Sequence, residues 1–151
     1  MKKLFSLLII TLFATSYSLA QNEGYDETLA KELGADDYGM KKYVIAFLYR
    51  GEQAREYTDE QRKDIQAGHM ANINQLAKAG QLVMAGPFFG NEDLRGLFIF
   101  AVENLEEAEK LTATDPAVKA GVLRMELKEW YGSAALMLMK DLHSKVAKVE
   151  I

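Results

Sequence analysis

Between Lys42 and Trp130 the apolar positions alternate between the period of a strand and the period of a helix. KYVIAFLYR, residues 42–50, is β-branched and aromatic, with Tyr43, Ile45, Phe47 and Tyr49 on one side and Val44, Ala46 and Leu48 on the other. Both sides demand burial. Ile65, His69, Ile73 and Leu76 then recur at helical spacing. Before them Thr58 and Gln61 make a capping box, with Asp59 and Glu60 in the first turn, and Gly80 marks the stop. QLVMAGPF, residues 81–88, reads as a second strand ended by Gly86 and Pro87. FGNED is a hairpin connection, and LRGLFIFAV, residues 94–102, is a third strand that is again apolar on both sides. Asn104 and Glu107 cap a short helix, LEEAEKLTA. In TDPAVKAG, Asp115 stands where an N-cap belongs, with Pro116 in the first helical position and Gly121 closing the turn. VLRMELKEW, residues 122–130, is the fourth strand, with Leu123, Met125 and Leu127 inward and Arg124, Glu126 and Lys128 outward. Residues 133–148, SAALMLMKDLHSKVAK, read as a C-terminal helix.

The order βαββαβ specifies an α+β, ferredoxin-like antiparallel sheet with an added C-terminal helix, its first and third strands central. Helices cover one face of such a sheet, yet both central strands are apolar on both faces. The economical cover for the second face is the same face of another copy, so a homodimer of the dimeric α+β barrel type is expected.

The flanking segments carry different patterns. Residues 1–20 place Lys2 and Lys3 before an uncharged apolar run that closes on Ser18, Leu19 and Ala20, the pattern of a secretory signal peptide. Export to the periplasm or beyond is therefore expected, with no stable membrane insertion after the leader is removed. Residues 21–41 are acidic without a sustained period and read as an N-terminal arm to a single domain spanning 42–151.

Composition narrows the chemistry. There is no cysteine, which excludes disulfides and thiol catalysis, and 22 acidic against 18 basic residues argue against a nucleic-acid partner. No glycine-rich phosphate loop and no Ser in a nucleophile-elbow context occur, and the two histidines lack metal-ligand spacing. Neither a metal nor another cofactor is expected. His69 is the anomaly, an imidazole in line with a core-facing stripe. A core histidine satisfied by one hydrogen bond and a proton-transfer group are both open readings. Asp115 is explained by capping alone, although a capping carboxylate can also receive an imidazole N–H. Among possible pocket residues, Gly86, Pro87 and Phe88 form a strand end that could also wall a site. Arg95 could bind an anionic group or be a solvated strand arginine, and Tyr131 at the exit of the last strand could add a polar contact. His143 has no partner in sequence and reads as a surface or interface residue.

The stretches GHMANINQLAKAG, VMAGPF, LRGLFIF and TDPAVKAGVLRMELKEW, in that order from about Tyr43 to Trp130, resemble the YciI-like (YCII-related) proteins. The resemblance implies a dimeric ferredoxin-like fold and an active-site pair formed by a helix histidine and the aspartate of the DP turn, here His69 and Asp115. It implies elimination or rearrangement of a small organic molecule. Proton transfer of isomerase or lyase type is thus the expected function, with a non-catalytic, dimeric small-ligand-binding module as the alternative.

Overall fold

The structure is a computed structural model that describes residues 23–90 and 92–149; the signal peptide expected over residues 1–20 lies outside them. The elements are α1 (Glu27–Leu33), β1 (Met40–Arg50), α2 (Asp59–Lys78), β2 (Leu82–Pro87), β3 (Leu94–Phe100), α3 (Leu105–Thr112), α4 (Pro116–Lys119), β4 (Leu123–Ser133), a 3₁₀ turn (Ala134–Leu138) and α5 (Met139–Val146).

Local signals set the boundaries of α2, α3 and α4. The Thr58 side chain accepts from the Gln61 N–H while Gln61 reaches back to the Thr58 N–H, so two of the orphan donors at the start of α2 are satisfied. Gly80, in the left-handed region at φ 73°, takes the chain out of that helix. Asn104 accepts from the Glu107 N–H at 2.9 Å to open α3, and Asp115 accepts from the Ala117 N–H at 2.8 Å to open α4.

The strands form one antiparallel sheet in the order β2-β3-β1-β4, which is the ferredoxin-like arrangement with β1 and β3 inside. The register pairs Ala46 with Phe98 and with Leu127. Val44, Ala46, Leu48, Phe98 and Phe100 therefore face the helices and make the core with Leu76 of α2, Leu82, Val102 and Ala108 of α3. Each large side chain buried this way stabilises the fold by roughly 1.5–3 kcal/mol. On the opposite face Ile45, Phe47 and Leu97 are half-buried, whereas Tyr43 is buried against Trp130, with ring centroids 5.8 Å apart.

The chain departs from the sequence reading at its two ends. Within the arm of residues 21–41, α1 is a capped helix: Asp26 accepts from the Leu29 N–H at 3.0 Å and Gly34 closes it in the left-handed region. No α1 residue is buried, so the helix leaves no apolar period to read. The last residues of the arm also join the sheet, because β1 already pairs Met40 with Ser133 of β4. That pairing corrects the single helix expected over 133–148. It holds Ser133 in the sheet, the next five residues tighten into the 3₁₀ turn, and only Met139–Val146 is α-helical. Helix propensity in SAALM is overridden by a ladder that reaches its first residue.

Candidate functional site

His69 lies in the middle of α2 and Asp115 caps α4, 46 residues later. The fold joins them. His69 Nδ1 and Asp115 Oδ2 are 2.7 Å apart, and the other carboxylate oxygen, Oδ1, accepts the Ala117 N–H. Asp115 is 1% exposed and His69 8%. An ionised carboxylate only accepts, so Nδ1 carries the proton of the neutral imidazole and Nε2 is left with a lone pair.

Three neighbours hold this geometry. Gly68, a costly residue in mid-helix by about 1 kcal/mol relative to alanine, sits where the Pro116 ring presses on α2; a Cβ there would stand 3.0 Å from Pro116 Cγ. The missing side chain lets the DP turn approach the helix. Asn72, one turn beyond His69 and buried, donates from Nδ2 to Thr114 Oγ1 at 2.8 Å, and Thr114 donates in turn to the Leu111 carbonyl. Its amide thereby ties the residue before Asp115 to α2. Phe98 of β3 lies nearly parallel to the imidazole, with centroids 5.9 Å apart and an interplanar angle of 18°. One face of the ring is therefore walled by an aromatic.

The imidazole borders a cleft of about 1420 Å³ between α2, the β2 edge of the sheet and α5. Leu48, Ile65, Ile73, Leu82, Met84 and Phe98 give it an apolar floor. Of the residues singled out in the sequence, His69, Gly86, Pro87 and Arg95 line this cleft. Arg95 also donates to the carbonyls of Gly90 and Glu92, each at 3.3 Å, which anchors it to the hairpin. Asp115 lies behind the histidine rather than on the cleft surface.

Phe88 and Tyr131 are not brought to the cleft. Phe88 is 42% exposed past the end of β2, its N–H bonded to the Arg95 carbonyl at 2.8 Å. Tyr131 borders a separate depression of about 230 Å³ with Lys42, Tyr43 and Trp130. The reason is strand length: Tyr131 is eight residues along β4 from Leu123, which lines the cleft, a displacement on the order of 26 Å. Its hydroxyl donates to Asp36 instead. That bond, then the backbone N–H of Met40, hold the Asp36 carboxyl below the usual carboxylate range. The Tyr131 phenol is pushed up to about 12, first by the same bond and then by desolvation.

Sequence reasoning missed several residues at the site. Asn72 stands three positions after His69 on the same helical stripe, a signal that was present but polar. Gly68 and Phe98 give no sequence signal of their proximity to the imidazole. His143, read as a surface or interface residue, is exposed but borders the cleft from α5, on a helix whose placement no spacing revealed. Among the described residues no three His, Asp or Glu side chains converge as a metal site, and no helix is long and apolar enough to cross a membrane.

A four-stranded ferredoxin-like sheet, with an aspartate-held imidazole bordering its helix-side cleft, defines the class of molecule. The chain belongs to the YCII-related domain family, whose domain matches residues 42–131. It is 30% identical over 73 residues to the uncharacterized protein YjpA of Bacillus subtilis (strain 168), an alignment covering 48% of this chain and 84% of YjpA. Among solved structures it is similar to the 5-chloro-2-hydroxyhydroquinone dehydrochlorinase TftG from Burkholderia phenoliruptrix AC1100, in complex with 2,5-dihydroxybenzoquinone. That similarity is 23% in sequence with a TM-score of 0.44, over 59% of this chain and 92% of that one.

Proposed function

We propose that the protein is an exported, homodimeric enzyme that uses His69 as a general base and acid on a small organic molecule, in an isomerase- or lyase-type reaction. The observation that carries this reading is the 2.7 Å contact between His69 Nδ1 and Asp115 on a ring that borders a cleft with an apolar floor. Nε2 takes a proton from an acidic C–H of the ligand, and the C–H electron pair forms a new double bond. In a lyase reaction a leaving group departs with the displaced pair; in an isomerase reaction the imidazolium returns the proton to another carbon. Asp115 orients the ring and faces the positive charge while it lasts. The steps close without an external oxidant or reductant.

Export is supported by the leader pattern of residues 1–20 and is checked by the mass of the mature N-terminus: a retained Met1 excludes cleavage. Dimerisation is supported by the half-buried Ile45, Phe47 and Leu97 on the sheet face away from the helices. A monodisperse monomer by light scattering at micromolar concentration would remove it.

Catalysis is tested by a thermal-shift screen of small metabolites, because a ligand that binds only the native state raises its melting temperature. Turnover of each hit is then followed. Replacing His69→Gln is expected to lower turnover by about 10²–10⁴-fold while leaving the ligand-induced shift in place. Turnover that survives the substitution removes the catalytic assignment, and hits that bind without being turned over by the unaltered protein favour a binding module.

A further inference from the structure

The cleft is charged in one sense. Six cations line it: Arg50 from β1, Arg62 and Lys78 from α2, Arg95 from β3, and Lys140 and Lys148 from the C-terminal segment. No aspartate or glutamate is found among the described residues that line it, although acids outnumber bases in the chain, 22 to 18. A random share of the surface would have brought several carboxylates with it. The arginines are also positioned rather than free: Arg62 bonds the Ala54 carbonyl at 3.3 Å and the exposed Asp59 carboxylate at 3.1 Å, and Arg95 is anchored to the hairpin carbonyls. Cations around low-dielectric walls focus a positive potential into the hollow they enclose.

A second observation concerns where those cations come from. The family match ends at residue 131, whereas Met139, Lys140, His143, Ser144, Ala147 and Lys148 form one wall of the cleft that holds His69. That wall is downstream of the shared domain. The helix α5 packs against β2, and Lys140 reaches across to the Lys78 carbonyl at the end of α2 at 3.5 Å.

Resting on the reading that ligands bind beside His69, we infer that the cleft selects an organic anion, a carboxylate or ionised enol or phenol on a flat apolar body, and that α5 is its selectivity wall. The oxyanion sits among the cations while the apolar body lies over Phe98 and the β2 residues, which places an activated C–H within reach of the imidazole. An anionic group conjugated to the reacting carbon is also what the cationic lining stabilises as the proton leaves. The volume, above the roughly 300–1,000 Å³ of common ligand sites, admits a body larger than a single ring.

The test compares 2-naphthoate with its neutral isostere 2-naphthamide, titrated into the full mature chain and followed by the His69 ring resonances in NMR. The naphthoate is expected to bind about tenfold tighter than the amide and to weaken as salt is raised. In the pair Lys140→Gln with Lys148→Gln, remote from the imidazole in sequence, naphthoate binding is expected to fall about three- to tenfold with naphthamide unchanged. Circular dichroism melting of the same variant reports that the fold is intact; Arg62→Gln provides a second charge removal should the pair unfold. Equal affinity for acid and amide, no binding of the acid up to its solubility limit, or a loss shared equally by both probes in the variants overturns the inference. These readouts need no turnover. An anion-selective cleft in a protein that turns nothing over would therefore sink the catalytic reading alone, and turnover of neutral compounds only would sink this one alone.

Discussion

Asp115 divides its two oxygens between two tasks, with Oδ1 on the Ala117 N–H at the start of α4 and Oδ2 on the His69 ring. The Asp115→Asn variant separates them. An amide oxygen can still cap the helix, but the amide nitrogen donates to Nδ1 and so forces the proton onto Nε2, the nitrogen proposed to take the proton of the ligand. Stability is expected to change by less than about 1 kcal/mol, whereas turnover falls by about 10²-fold or more because the base is in the wrong tautomer. Nitrogen-15 shifts of the imidazole check the tautomer directly. Retention of the Nδ1–H form would mean that something other than this carboxylate sets the ring. His69 and Asp115 were legible as residue types, an imidazole on an apolar stripe and an acid before proline. Their meeting was legible only through resemblance to a family, since 46 residues of intervening chain give no spacing rule. Gly68 shows the limit from the other side: its reason is the Pro116 ring on another element, which no local pattern contains.

At the scale of elements, the fold tolerates change very unequally at positions that look alike in the sequence. Gly51 follows β1, and its N–H bonds the Val122 carbonyl at 2.8 Å; a Cβ there would be driven into the backbone carbonyl of Gly121. Gly86 in β2 borders the cleft with nothing within 4 Å of where its Cβ would stand. Gly51→Ala is therefore expected to destabilise by about 3 kcal/mol, because backbone rather than a flexible side chain must give way. Gly86→Ala should change stability by less than about 0.5 kcal/mol. Urea denaturation of the two variants measures the contrast, and similar midpoints would mean that the β1 end is not packed as described. The boundaries of α2, α3 and α4 were readable because Thr58 with Gln61, Asn104 with Glu107, and Asp115 with Pro116 are contacts within one turn. The helix α1 was not, since it buries nothing. The break between β4 and α5 was not either, since it is imposed by pairing Met40 with Ser133 across the sheet.

For the whole molecule, the two segments flanking the family domain of residues 42–131 are fastened differently. The arm is pinned by the Tyr131 hydroxyl on Asp36, whose other oxygen accepts the N–H groups of Tyr38 and Met40, each at 2.9 Å, just where β1 begins. Asp36 is held below its ordinary value of 3.8, so its contribution is present above that value and lost as pH falls through the lowered one. Tyr131 is raised from 10.0 to about 12, so its contribution is complete below pH 10 and lost as pH climbs through about 12. The pin thus holds between these extremes. Besides the Tyr43 phenol, which burial also raises, tyrosinate absorbance should show a phenol ionising near pH 12 that disappears in Tyr131→Phe and moves to lower pH in Asp36→Asn. An unchanged titration curve in either variant would place that late phenol elsewhere. The other flank, α5, makes a wall of the hollow beside the imidazole without supplying either member of the His69–Asp115 pair. On the proposed reading, reactivity and ligand choice are housed in separable lengths of chain, so that a tail can be exchanged while the histidine and aspartate stay in place.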